Sequence, residues 1–406
     1  MRIVYLNPVG SLGGAERVLL QMLAGIRRER PDWNLSLIAM TSGPLLEEAL
    51  KLGVRSLCLP MPPALAGVGD SLFRGRNKLF MAFQIVSKVI ILFPSLMKYL
   101  RKLREMLRKL RPSLVHSNGI KSHLLARWIV PASVPIVWHV HDYYSLRPLT
   151  GRLLRRVQNG VRSLLAISRS VAEDVQLILP DIPVRILFNS VDPERFSPGV
   201  SKGSWLDCLA GLSLPATPLL RVGLIATFAR WKGHDLFLQA THHFVQTHPD
   251  INVRFYVIGG PIYHTQAQWT LAKLTQLAKS LHLQNQIGFI PFQQDPVDVY
   301  RSLDVVVHAS TKPEPFGLTI AEAMSCGRSV IVSQAGGASE LFTPEVDALG
   351  VSPGNGAELV VALNRLLRDA SLRERIGDAA RQTALKKFSP DRFTRELLDC
   401  YDSIMK

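Results

Sequence analysis

The chain has 406 residues, which suits two domains of about 200 residues each better than one hydrophobic core. With 47% hydrophobic and 20% charged residues it is neither disordered nor fibrous, and its four scattered cysteines make no disulfide framework and no zinc-ligand spacing. The net charge of +16 is uneven: residues 1–200 carry 28 Lys/Arg against 13 Asp/Glu and the remainder 20 against 19, so the first half is expected to face an anionic partner.

The first strand-like run, 2–7, has no basic and apolar leader before it, so a cytoplasmic location is expected. Further β-rich runs follow at 34–41, 54–60, 113–118, 135–141, 164–168 and 184–190, with amphipathic helical stretches such as 15–28 and 170–179 between them. A segment rich in Pro, Gly and Ser, 191–217, interrupts the alternation. It then restarts, with runs at 220–227, 252–259, 286–292, 304–309, 329–333 and 349–352. Alternating strands and helices predict an α/β fold with two doubly wound, Rossmann-like parallel sheets. The expected domains are 1–195 and 196–387, followed by a helix over 388–406 that either caps the second domain or packs back on the first. Ligands of such sheets bind beyond the carboxyl ends of the strands, so a crevice between the two domains is the expected site.

Residues 310–322 are the most informative. They follow a strand, stay extended through Pro313 and Pro315, and enter a helix after Gly317. The free N–H groups at that helix start, from Phe316 and Gly317 to Leu318 and Thr319, suit a diphosphate. Glu314 is placed to reach sugar hydroxyls and Glu322 to accept from a ribose; taken alone, Glu322 also suits a surface carboxylate and Glu314 a helix-start charge. Earlier, Arg230 and Lys232 sit just past the first strand of the second domain, where two cations would neutralise a diphosphate. Gly259 and Gly260 end the next strand. In the first domain the opening βα turn carries Gly10, Gly13 and Gly14 before Glu16. That spacing is not the G-x-G-x-x-G of dinucleotide binding, and no acidic residue ends the second strand, which argues against a pyridine-nucleotide enzyme. His141 ends another strand, with His139 on the same face as an alternative, and Asn118 ends a third.

Glu314 and Glu322 form an E-x7-E pattern, and together with Arg230, Lys232, the Gly259–Gly260 pair, the Asn189 to Asp192 segment and the first glycine turn the sequence resembles the retaining glycosyltransferases of the GT-B fold, family four. The resemblance implies a retaining hexosyl-type transfer from a nucleoside-diphosphate sugar to an acceptor hydroxyl, in polysaccharide or glycolipid synthesis. It implies catalytic roles for His141, Arg230, Lys232 and Glu314, and donor contacts at Gly13, Gly14, Gly259, Gly260, Phe316, Gly317, Leu318, Thr319 and Glu322. Glu16 and Asn118 are expected on the acceptor side. It also implies a front-face reaction, in which a diphosphate oxygen takes the proton of the attacking hydroxyl. No Asp-x-Asp occurs, so neither a metal nor a cofactor is expected beyond the donor itself. The acceptor is expected to be lipid-linked, a polysaccharide or a small molecule. A nucleotide-sugar epimerase, or a silent sugar- or membrane-binding protein, is the alternative on the same frame.

Residues 72–111 carry eleven Lys/Arg and one acid, Glu105. Lys88 and Pro94 interrupt the apolar run 79–97, which therefore does not qualify as a membrane span. In 98–111, Leu100, Leu103, Leu107 and Leu110 recur at helical spacing opposite seven basic residues. Two readings fit: a helix lying on an anionic bilayer at the inner face of the cell membrane, or a core-packed helix with a solvated basic back. No nucleic-acid module accompanies the charge.

Overall fold

Strands that read as nearly continuous apolar runs are buried on both faces, as parallel sheets covered by helices require. The computed structural model describes residues 1–66, 78–261 and 267–405, with only backbone for 66 and 78–91. The first sheet comprises β1 Arg2–Asn7, β2 Asn34–Ala39, β3 Arg55–Cys58, β4 Leu114–Asn118, β5 Ile136–Val140, β6 Val161–Ala166 and β7 Val184–Ile186. All its pairings are parallel, in the order β3-β2-β1-β4-β5-β6-β7. The second comprises β8 Leu220–Ile225, β9 Val253–Gly259, β10 Ile287–Pro291, β11 Val305–His308, β12 Ser329–Ser333 and β13 Leu349–Val351, in the order β10-β9-β8-β11-β12-β13. In each sheet the order reverses beside its first strand, between β1 and β4 and between β8 and β11. Loops leaving the carboxyl ends at such a reversal diverge and open a space for ligand.

Two compact units result: Met1–Phe188 with Pro390–Lys406, and Asn189–Ser389. The second begins a few residues before the expected 196 because its first residues are tied inward. The Val191 amide donates to the Phe388 carbonyl at 2.9 Å, and the Arg381 guanidinium donates to the carbonyls of Pro193 and Phe196. One core cluster lies on a single face of β8, β9 and β11, where the alternate residues Val222, Leu224, Val253, Phe255, Val305 and Val307 pack against Phe237, Phe244 and Leu363.

The helix Pro390–Met405 belongs to the first unit and packs on the helix Gly14–Glu29. Phe393, Leu397, Cys400 and Tyr401 are buried, each large apolar side chain contributing about 1.5–3 kcal/mol. Gly25 makes room for Thr394, whose Oγ1 would lie 2.0 Å from any Cβ there. Asp391 in the first turn pairs with Arg28 at 2.5 Å.

The basic segment forms the 33-residue helix Lys78–Leu110, of which the side chains from Leu92 onward are described; the expectations for 72–77, and for the side chains of 78–91, fall outside the described residues. Leu100, Leu103 and Leu107 are buried, and the Tyr99 hydroxyl donates to the Leu59 carbonyl at 3.0 Å. The apolar face suggested for a bilayer is thus packed on its own domain, because a stripe at that spacing fits the sheet's helical layer equally well. Among the described residues no helix is long and apolar enough to cross a membrane.

Candidate functional site

In the second unit the site residues come from three loops at the carboxyl ends of β8, β9 and β11. The loop after β8 turns through the short helix Arg230–Lys232 into Gly233, whose φ of +75° is left-handed. A Cβ on Gly233 would sit 1.9 Å from the Ala309 carbonyl, so only glycine lets this loop lie against the end of β11. The loop after β9 braces it: the Phe228 amide donates to the Gly260 carbonyl, the Arg230 amide to Ala267, and the Trp269 amide to Phe228, all within 3.0 Å. The Arg230 guanidinium lies 4.1 Å from the centre of the Trp269 ring. Planar cations pack well on indole, so this contact fixes the Arg230 side chain in place.

These contacts bring Lys232 to Glu314. Its Nζ lies 2.5 Å from Glu314 Oε2, and the two side chains are only 17% and 10% exposed. Ser310 Oγ donates to the same carboxylate oxygen at 3.0 Å, and His308 Nε2 lies 3.3 Å from it. Burial would raise the Glu314 pKa; the Lys232 ammonium, and then the His308 contact, overrides it and holds the carboxyl at about 2. Glu314 is therefore a fixed anion, and Lys232 is anchored by it and by the face of the Trp231 ring, whose centre lies 4.2 Å from its Nζ.

Beyond Glu314 the chain passes Phe316, which is buried against Phe388 with ring centres 6.0 Å apart, so only its backbone is available to a ligand. Gly317, at φ +100°, turns it into the helix Leu318–Ser325. The Ile320 and Ala321 amides donate to the Gly317 carbonyl, whereas those of the first turn, at Leu318 and Thr319, have no carbonyl four residues back within the helix. One turn on, Glu322 accepts a 2.6 Å hydrogen bond from the Tyr300 hydroxyl. Lys232, Glu314, Glu322 and a helix N-terminus thus form one constellation that suits a polyanion with attached hydroxyl groups. Glu340 lies in the turn Gly337–Glu340, and its carbonyl accepts from Lys387.

In the first unit, β1, β4 and β5 bring together Gly13, Glu16, Asn118 and His141. Glu16 Oε2 accepts from the Gly13 amide at 3.1 Å, so this N–H of the glycine turn is already engaged, while Gly14 begins the helix. His141 Nε2 bonds Asn118 Oδ1. Desolvation lowers the His141 pKa to about 4, so the ring is neutral at pH 7. His139, its rival, is buried, with its ring centre 5.4 Å from that of His116. His141 lies just past the end of β5 and is partly exposed, which separates the two histidines.

Sequence reasoning missed Tyr300, Trp269, His308, Ser310 and Asn7. His308 and Ser310 share the strand face that precedes Glu314, a period-two signal that was readable. Tyr300 and Trp269 touch the site only through chain segments distant in sequence, and nothing local marks them.

Two family patterns match almost end to end: that described as Glycosyltransferase Family 4 over residues 12–195, and that described as Glycosyl transferases group 1 over residues 219–383. The chain belongs to the group 1, family 4 glycosyltransferases. Among curated relatives of this family, a D-inositol 3-phosphate glycosyltransferase of Saccharomonospora viridis is 33% identical over 226 residues, covering 55% of this chain and 50% of the relative. An uncharacterised glycosyltransferase of Methanocaldococcus jannaschii is 25% identical over 247 residues, covering 60% of each chain. The matches therefore span about half to three-fifths of those relatives' length. The fold is GT-B. HepE of Anabaena, solved in complex with UDP-glucose, aligns over 99% of this chain and 100% of its own with a TM-score of 0.80 at 21% identity. Sucrose-phosphate synthase of Thermosynechococcus elongatus aligns over 100% and 99% with a TM-score of 0.76 at 18% identity.

Proposed function

We propose that this chain transfers the sugar of a nucleoside-diphosphate sugar to an acceptor hydroxyl with retention of configuration, the second domain holding the donor and the first the acceptor. One observation carries the reading: the buried Lys232–Glu314 pair beside a helix N-terminus. On this reading Lys232, Arg230 and the Leu318–Thr319 amides stabilise the negative charge that builds on the departing diphosphate. Glu322, oriented by Tyr300, accepts from the ribose hydroxyls, and Glu314 holds both Lys232 and a sugar hydroxyl. Gly259 and Gly260 admit the nucleotide beside Arg230. His141 serves the reacting sugar, with Glu16 and Asn118 behind it. A diphosphate oxygen removes the acceptor's proton as its hydroxyl attacks from the face the diphosphate leaves. The reaction needs no metal on this account, because the cations and the helix start supply the charge.

The test is a donor panel, led by UDP-sugars because the Anabaena neighbour is solved with UDP-glucose, with and without EDTA, and with the product anomer read by NMR. Retention without loss on chelation is the expected result. An inverted product, or turnover of donor to an epimer with no acceptor present, defeats the proposal.

We also propose a peripheral seat on an anionic membrane. With Leu100, Leu103 and Leu107 buried, the support comes from what remains outside. Arg101, Lys102, Arg104 and Arg108 are exposed on the helix Lys78–Leu110, near exposed Phe93 and Met97. That helix packs on the helix Ile120–Ile129, which packs on the helix Pro148–Arg156. This last helix and the turn before it expose Leu146, Leu149 and Leu153 among Arg152, Arg155 and Arg156. Apolar side chains interleaved with arginines suit a headgroup–acyl boundary, and a lipid-linked acceptor is the matching substrate class.

A further inference from the structure

A chain of side-chain hydrogen bonds runs from the helix start at Gly14 to His141, through a residue that no sequence motif marks. Asn7, at the end of β1, is fully buried. Its Nδ2 donates to the Val9 carbonyl at 2.6 Å and to Glu16 Oε1 at 3.2 Å. Its Oδ1 accepts from Asn118 Nδ2 at 2.7 Å, and Asn118 Oδ1 in turn bonds His141 Nε2.

Each link dictates the next. A backbone carbonyl only accepts, so the NH2 end of Asn7 must face Val9 whatever the protonation state of Glu16. A reversed Asn7 amide would aim its oxygen at that carbonyl and at a carboxylate, losing two bonds and opposing two like dipoles. The Asn7 oxygen therefore faces Asn118, which must present its NH2 to it and its own oxygen to His141. An amide oxygen only accepts, so the hydrogen between them lies on the imidazole. The His141 ring is neutral and holds one such hydrogen.

We propose that Asn7, acting through Asn118, is a positioning residue that fixes His141 as the Nε2–H tautomer and leaves Nδ1 as the acceptor it offers to a substrate hydroxyl. The hydrogen on Nε2 rests on the hydrogen-bond geometry, and the bare Nδ1 on the neutrality that burial gives the ring; the role toward substrate rests on the transfer reaction proposed above. A histidine in this state accepts a hydrogen bond from a sugar hydroxyl and donates none, which selects how that hydroxyl is oriented. Asn7 thereby links the glycine turn, through the Glu16 carboxylate that holds Gly13, to the histidine.

The test uses the full chain with 15N-labelled histidine at pH 7.5. Long-range proton–nitrogen correlation reads each ring's tautomer, and His141→Gln identifies the signals of His141 among the 11 histidines. The expected result is a single Nε2–H form; an Nδ1–H form in the wild type overturns the proposal outright. Asn7→Leu frees the Asn118 amide to rotate, so a tautomer mixture is expected, with kcat lowered about tenfold at an unchanged KM. The double variant Asn7→Leu/Asn118→Asp, whose carboxylate has no donor end, is expected to restore the Nε2–H form. An unshifted tautomer in Asn7→Leu, or a shifted one with unchanged kcat, also overturns it. The tautomer is read without substrate, so its failure is distinct from a failure of the transfer assay.

Discussion

Glu314 keeps its charge although burial raises its pKa, and a lysine 82 residues earlier in the chain supplies the largest opposing effect. Its folded pKa of about 2 lies below its ordinary value of 4.5. Its contribution to stability is therefore complete above pH 4.5 and is lost as pH falls through about 2. Lys232→Ala removes the main stabilising charge and leaves the burial. The gap in melting temperature between wild type and this variant is expected to be widest above pH 5 and to narrow toward pH 3. Calorimetry across that range checks it, and a gap that does not vary with pH would refute the pairing. The same variant should lose on the order of 100-fold or more in kcat, as removing one donor to a developing anion does. Tyr300→Phe keeps the ring and deletes the donor to Glu322, so a loss of about tenfold in kcat/KM is expected with the matched donor. Glu322→Gln should lose more, because it changes the group that Tyr300 only orients. Wild-type kinetics in both variants would remove Glu322 from the site.

At the scale of elements, backbone contacts hold the loop after β8, at the sheet reversal, against its neighbours. Gly233 lets the Arg230–Lys232 turn rest on the Ala309 carbonyl, and the loop after β9 braces the turn from its other side. The helix Pro390–Met405 has a different role: it completes the first domain from the far end of the sequence. Tyr401 reaches the interior of that domain, bonding Tyr5 at 3.2 Å and His116 at 2.8 Å. Phe393→Ala should therefore destabilise the first domain by about 3–5 kcal/mol, the cost of a large buried cavity. Urea melts followed by probes placed in each domain test it. A loss confined to the second domain would contradict the assignment of the helix.

At the scale of the molecule, the excess charge belongs to the first domain, and Arg101, Arg104, Arg108, Arg152, Arg155 and Arg156 in it are exposed. Binding to vesicles of anionic lipid, absent with zwitterionic ones and weakened as salt rises, is the expected behaviour. A variant with Arg101, Arg104 and Arg108 changed to Gln should float less, and so should Leu149→Ser/Leu153→Ser, with transfer to a soluble acceptor kept. Equal flotation by wild type and both variants, or none by any, removes the membrane reading. Neither variant touches a residue placed in the transfer site.

The sequence by itself determined whatever depends on neighbours along the chain. Among the described residues, the central strands were legible because parallel strands buried on both faces are short apolar runs between turn residues, whereas the edge strands β3 and β7 are largely exposed. The segment from Glu314 to Glu322 was legible because strand, extended turn and helix start follow one another in order. Tertiary structure decided what depends on residues brought together from a distance. The anchoring of Lys232, the orientation of Glu322 and the tautomer of His141 each come from a partner on another strand or loop. Burial decided the rest: the leucine stripe of 98–111 reads identically for a bilayer or a core, and the packing of Leu103 and Leu107 settles which side chains it covers. Periodicity gives a helix its apolar face, but only the fold supplies the surface that meets it.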